Sequence, residues 1–219
     1  MAVMADPRAQ KGKRAEYLGP ARRRPLVLDA ALELFAQGGF ADASMEALGR
    51  KAGTTKPVLY DCFSGGKQEI YFAVLEREEE RFRAHMIGVL ASTGRMKLRD
   101  ALTVGLAAFL DYADVNPSAF RVMFGPPGTS DPGIVERGIR VREQIIKIMT
   151  DRADALAEPV NAPPVIVELY NRAIVAVAEE LARWWLASKP LERDKMVAIA
   201  VNWMMRGFEG ILPAEMTRS

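Results

Sequence analysis

Three glycine breaks set close together constrain this chain more than any other feature: Gly38-Gly39, Gly53 and Gly65-Gly66. Only short helices fit between them. Upstream, Leu28, Ala31, Leu32 and Phe35 recur at i, i+3, i+4 and i+7 within Leu26 to Gln37, a single apolar stripe that the glycine pair ends. Ser44 is a natural N-cap, after which Met45, Leu48 and Ala52 keep helical spacing until Gly53. Thr55 caps a third segment whose Pro57 is tolerated in the first turn, where the missing N–H has no intrahelical use. Lys67 to about Ala91 continues as a long fourth helix. Two short helices joined across a tight glycine turn and braced by a third make helix-turn-helix geometry, a spacing that also suits a plain three-helix bundle. Leu28, Leu32, Phe35, Phe40, Leu48, Leu59 and Phe63 are assigned to the core of this unit.

The charge is unevenly placed. The chain of 219 residues has a formal net charge of only +2. Yet residues 1 to 24 hold Arg8, Lys11, Lys13, Arg14, Arg22, Arg23 and Arg24 against Asp6 and Glu16. A basic arm ahead of a near-neutral body is a footprint of nucleic-acid binding, and equally of a solubilising tail. Residues 1 to 20, with Pro7, Gly12, Gly19 and Pro20 and no apolar periodicity, read as a flexible arm. No apolar run reaches the roughly 18 residues of a membrane span and no signal-peptide pattern opens the chain, so a cytoplasmic location and no membrane partner are expected.

Catalysis finds little support. One cysteine, Cys62, and one histidine, His85, leave no zinc-ligand spacing and no Cys-His nucleophile set. Carboxylates such as Glu168, Glu179 and Glu180 lack any acid/base or metal constellation around them. Neither an enzyme, a cofactor nor a bound metal is expected. Cys62 reads as a small packing residue and His85 as a surface one.

Beyond the fourth helix, further helices are predicted over about 96–115, 118–124, 131–156, 164–188 and 192–211, separated by Thr93-Gly94, Asn116-Pro117, the GPPG that starts at Gly125, the APP at Ala162 and Lys189-Pro190. The chain is thus all-α, with about nine helices. Its organisation is an arm over 1–20, a helix-turn-helix unit over 21–67, and a helical bundle over 68–219. The last two helices are apolar around most of their circumference, which predicts a partner: two from each of two copies would form a four-helix interface. Val175, Leu181, Trp184, Trp185, Val197, Val201, Trp203 and Met204 are its candidate residues. Inside the bundle, Phe109, Tyr112, Phe120, Met123, Phe124, Tyr170 and Asn171 are candidates to line a pocket for a small hydrophobic or aromatic effector, aromatics at such spacing being more often plain core.

The run RRRPLVLDAALELFAQGGFADASMEALGRKAGTTKPVLYDCFSGGKQEIY, residues 22 to 71, resembles the N-terminal domain of the TetR family of bacterial transcriptional regulators. Matching elements in order are the basic residues before LDAALELF, the GFADAS link, the MEALGRKAG helix, the KPVLY recognition helix, Phe63 and the GKQE start of helix four. Three features depart from the family pattern: Thr54 after the turn glycine, Cys62 before Phe63, and a link FSGGK one residue longer than usual. The resemblance implies a homodimer on a palindromic double-stranded DNA operator, with release, most simply from repression, by a small-molecule effector through helix four.

On that reading Thr54, Thr55, Lys56 and Pro57 sit at the N-terminal end of the recognition helix, where a hydroxyl, an ammonium and a ring can meet base edges. Tyr60 places its hydroxyl on phosphate, as the matching family tyrosine does. Ser44 and Lys67, at the starts of helices two and four, are backbone anchors, and Arg22, Arg23 and Arg24 reach the minor groove. A rival without the resemblance is a helical adaptor whose arm binds acidic partners.

Overall fold

The computed structural model describes residues 19–125, 132–151 and 162–208, so the predicted arm over 1–20 lies almost wholly outside the described residues. Among the described residues there are nine helices and no strand: α1 (Pro20–Asp42), α2 (Met45–Lys51), α3 (Lys56–Cys62), α4 (Gly66–Ser92), α5 (Leu98–Val115), α6 (Pro117–Phe124), α7 (Pro132–Asp151), α8 (Pro164–Ser188) and α9 (Arg193–Phe208). None of them is long and apolar enough to cross a membrane.

The first helix begins earlier than its apolar stripe suggested, at Pro20, and carries Pro25 inside it. The glycine pair does not end it cleanly. Gly39, at φ 71° and ψ −173°, kinks the helix, and a last turn runs on to Asp42. The buried stripe is also rotated by one residue, so Val27, Ala31 and Phe35 are sealed while Leu28, Leu32 and Phe40 pack half-buried beside them. Leu48, Leu59 and Phe63 are fully buried and complete the small core beneath α2 and α3.

α1 rests against both α4 and α6, and α5 lies at the centre of the bundle, touching α4, α6, α8 and α9. The heart of that packing is aromatic. Phe82 of α4, 1 % exposed, meets the rings of Phe109, Tyr112 and Phe124 edge-on at centroid distances of 5.8, 4.9 and 5.3 Å. Edge-to-face pairs of this kind add about 0.5–1.5 kcal/mol each beyond the area they bury. Burial, reinforced by the Glu78 carboxylate, pushes the Tyr112 hydroxyl up to about 12.

Two charges are buried among these helices. Glu78 of α4 accepts from Arg77 Nε at 2.7 Å, and Arg77 Nη1 reaches back to Asp29 of α1 at 2.7 Å. Glu179 of α8 accepts two bonds from Arg142 Nε of α7, at 2.8 and 2.9 Å. Arg142–Glu179 joins α7 to α8, whereas Glu78 is held by Arg77 of its own helix; removing either arginine would strand a carboxylate out of water. Arg77, through the exposed Asp29, ties the long helix α4 to the helix-turn-helix unit.

Candidate nucleic-acid interface

The helix-turn-helix is built from a few local bonds. Ser44 Oγ accepts from Ala47 N at 3.1 Å and so caps α2. Gly53 then turns the chain at φ 62°, a conformation that glycine adopts without penalty, and Thr54 N closes the turn on Gly49 O at 2.9 Å. A side chain at Gly49 would press on the Thr54 carbonyl at 3.1 Å, so this glycine permits the close approach of the two helices. Thr55 stands at the N-cap of α3, but its side chain makes no capping bond. Lys56, Pro57 and Tyr60 project from α3 into solvent, Tyr60 at 43 % exposure despite its size.

The basic residues ahead of α1 are arranged differently from a groove-entering arm. All three arginines belong to α1 itself. Arg23 Nη1 donates to Thr54 Oγ1 at 3.1 Å, which braces the turn from α1. Arg24 Nη1 donates to Cys62 O at 2.5 Å, lies 4.1 Å over the Phe63 ring and pairs with Glu69 at 3.7 Å. It therefore ties the end of the recognition helix to α1 and α4, while Arg22 is exposed.

Lys67 is likewise turned inward. Its ammonium donates to the carbonyls of Phe40 and Ala43 at 2.9 Å each and of Ala41 at 3.4 Å, over the Phe40 ring. A cation there satisfies the orphan carbonyls at the end of α1, so in this structure Lys67 clamps that helix end. Gly66 takes φ 66° to start α4, and a Cβ on it would lie 3.2 Å from the Tyr60 ring. The extra glycine thus forms the seat on which the tyrosine rests. The sequence marked Gly66 only as a helix break, and it did not mark Glu46.

Glu46, in the first turn of α2, accepts from Lys56 Nζ across the turn at 2.6 Å. The pair is exposed on both sides, at 48 % and 56 %. This bond holds the lysine above its ordinary pKa and the glutamate below its own. Cys62 is buried and His85 exposed, as expected for a packing residue and a surface one.

In the bundle, an apolar cavity of about 70 Å³ lies where α4, α5, α7, α8 and α9 converge, lined among others by Met86, Leu102, Gly105, Phe109, Ile145 and Ala178. Of the predicted pocket residues only Phe109 lines it. Tyr112, Phe120, Met123 and Phe124 are buried core, the three aromatic rings packed against Phe82, Phe109 or one another. Asn171 is buried and donates to Thr150 Oγ1 at 3.0 Å, and Tyr170 packs half-buried on the core. The space exists instead where small residues face it: Ala101 and Gly105, one turn apart on α5, and Ala178 on α8. Met86, Leu90 and Ile145 also line a second, much smaller cavity of about 10 Å³ between α4 and α7, whose lining residues Glu79 and Arg83 also border a groove of about 430 Å³ with Glu76, Glu80, Lys147 and Asp151.

The predicted dimer residues divide. Val175, Trp185, Val197, Val201 and Met204 are buried within this one chain and present nothing to a second copy. Trp185 is held inward by a bond from its Nε1 to Leu191 O at 2.9 Å. Trp184 and Trp203 do face outward, at 47 % and 63 % exposure, with Leu181 half-buried. Around them Val165, Leu169 and Ile199, which the sequence reading did not pick, are also exposed.

A recognition helix braced by two others and carried on a helical bundle defines a DNA-binding transcriptional regulator. Residues 27–74 match the family model of the bacterial regulatory proteins of the tetR family. The chain is 28 % identical over 224 residues, 96 % of each protein, to the HTH-type transcriptional activator FasR of Mycolicibacterium smegmatis. Its fold is similar to that of a TetR-like transcriptional regulator from Rhodococcus sp. RHA1, at TM-score 0.68 and 26 % identity, covering 88 % of this chain and 99 % of that one. It is similar also to the regulator FadR of Bacillus subtilis, solved in complex with stearoyl-CoA, at TM-score 0.65 and 13 % identity, covering 82 % of this chain and 96 % of that one. Residues 27–74 are thus a DNA-binding unit of the tetR type, carried on a helical bundle whose fold is that of TetR-like transcriptional regulators.

Proposed function

We propose that the protein acts in the cytoplasm as a homodimer whose two recognition helices read a palindromic operator, and that a ligand with an apolar chain releases it. Residues 21–67 form the reader and 68–219 the dimerisation and ligand unit. The observation that carries the reading is the outward N-terminal end of α3, where Thr55, Lys56, Pro57 and Tyr60 stand exposed while Arg23, Arg24 and Lys67 brace the unit from behind. Ser44 at the start of α2, and Arg22, supply further phosphate contacts.

Dimerisation is supported by exposed apolar side chains on α8 and α9, interspersed on α8 with the charged Arg172 and Glu180. Val165, Leu169 and Trp184 fall on one side of α8, with the exposed Ala173 and Ala176 between them, and Ile199 and Trp203 lie one turn apart on α9. A second copy covers these side chains, since self-complementary patches are how twofold dimers are made. The double variant Trp184→Glu, Trp203→Glu is expected to sediment as a monomer and to bind a full palindrome about 10² to 10⁴-fold more weakly, the loss of linked half-sites, with half-site affinity unchanged. A variant that still sediments as a dimer contradicts the assignment.

The ligand enters between α4 and α7, placing an apolar chain in the inner cavity and a polar head in the charged groove. That the FadR of Bacillus subtilis was solved with stearoyl-CoA supports a chain-like ligand, the relation being one of fold. Parting α4 from α7 displaces α4, which carries Arg77 and hence Asp29 of the reader. The ligand then favours a head spacing that no longer fits DNA. Repression follows if the operator overlaps a promoter; the relative FasR is named an activator, and reporters with the operator upstream or overlapping separate the two.

A further inference from the structure

We infer that Glu46 is a specificity-determining residue of the DNA interface, acting through the lysine it holds at the head of the recognition helix. The inference rests on the proposal that the exposed end of α3 faces DNA. Glu46 stands in the first turn of α2, next to its cap Ser44, where the positive end of the helix would otherwise attract phosphate. A carboxylate there weakens attraction to any duplex. An acid in a first turn also stabilises its own helix, but that role needs no contact with α3. Glu46 makes one, bonding the Lys56 ammonium across the turn at 2.6 Å while Arg50, one helical turn further along α2, adds a favourable charge.

The consequence is chemical. A free lysine at the start of a recognition helix can bond any phosphate and carries no sequence information. Held by Glu46, the ammonium lies beside an acceptor, so the two residues present donor and acceptor together on the exposed side of the turn. The favoured partners of such groups are guanine O6 and N7 for lysine and cytosine N4 for glutamate, which lie side by side on the major-groove edge of one G·C pair. Arbitrary DNA therefore meets a repelling carboxylate and an occupied lysine, while a G·C pair at the right position satisfies both.

The test uses the full chain and duplexes selected from random sequence by the wild type. Affinity for the winner and for random duplex is measured against salt for wild type, Glu46→Gln, Lys56→Gln and the double variant, with thermal melting alongside. Glu46→Gln is expected to bind random duplex at least about fivefold more tightly at low salt, to lose about tenfold in specificity ratio, and to flatten the G·C preference at one position in each half-site. Lys56→Gln loses the same preference, and the double variant loses no more. If Glu46→Gln changes only melting, or weakens both duplexes equally, Glu46 is a helix-stabilising acid and the inference falls. Should the wild type enrich no duplex, the DNA reading itself falls, an outcome distinct from a selective wild type whose preference is untouched by Glu46→Gln.

Discussion

Gly105→Leu is expected to raise the stability of the protein and to close its inner cavity at the same time. Gly105 lies within α5, outside the left-handed region, and a Cβ built on it meets nothing within 4 Å. Neither backbone conformation nor close packing therefore requires glycine, which in a helix interior costs about 1 kcal/mol relative to alanine. What the residue does is leave space, in the wall of a cavity of about 70 Å³. At about 24 cal/mol per Å³ of cavity, filling it is worth about 1.7 kcal/mol, to which helix propensity adds somewhat less than 1. For a chain of this size the gain corresponds to a rise in Tm of about 5–10 °C. The apolar dye Nile red, added to wild type and variant, reports whether the cavity admits a chain-like guest. The variant should exclude it while binding operator DNA as before. A variant that is less stable, or that takes up dye as the wild type does, shows that the glycine has another purpose.

Phe82→Ala is expected to cost about 3–5 kcal/mol, the range for truncating a sealed aromatic side chain. Three rings lose their edge-to-face partner at once, because Phe109, Tyr112 and Phe124 all meet at Phe82. Against a total of about 5–15 kcal/mol for a folded domain, the loss removes about a fifth or more of the stability. It should appear in urea unfolding as a lower midpoint with an unchanged slope. A loss below about 1 kcal/mol would mean that the three helices α4, α5 and α6 are held together elsewhere. Phe120→Ala makes a useful comparison, since it removes a ring at the rim of the same cluster.

The helix-turn-helix was legible because its signals are local. Ser44 and Thr55 occupy the N-cap positions expected of them, Gly53 turns at positive φ, and Leu48, Leu59 and Phe63 are buried. What the pattern could not convey was the direction of long side chains. Arg24 and Lys67 look like DNA contacts in sequence because arginine and lysine reach about as far inward as outward, and only the fold brings the carbonyls of Cys62, Phe40 and Ala43 within reach.

The apolar circumference of α8 and α9 told of burial on several sides without telling which side belongs to a partner. Trp184 and Trp185 are neighbours in sequence, yet one is exposed and the other sealed. A hundred degrees of helical rotation separates them. The cavity escaped for the opposite reason. Aromatic residues attract attention as pocket walls, but in this bundle they fill space, and the opening is made by Ala101, Gly105 and Ala178, whose contribution is the absence of a side chain.

The most direct test of the account is selection from random duplex DNA, followed by salt-dependent binding of the winning sequence to the wild type and to a Lys56→Ala, Tyr60→Phe double variant. The account predicts a palindromic winner. With about 6–10 phosphate contacts, affinity should fall by about 10³ to 10⁵ between about 50 and 200 mM salt, and the double variant should lose the specific complex while melting as the wild type does. If no sequence is enriched, or the double variant binds the winner as tightly as the wild type, the exposed end of α3 is not the surface that reads DNA.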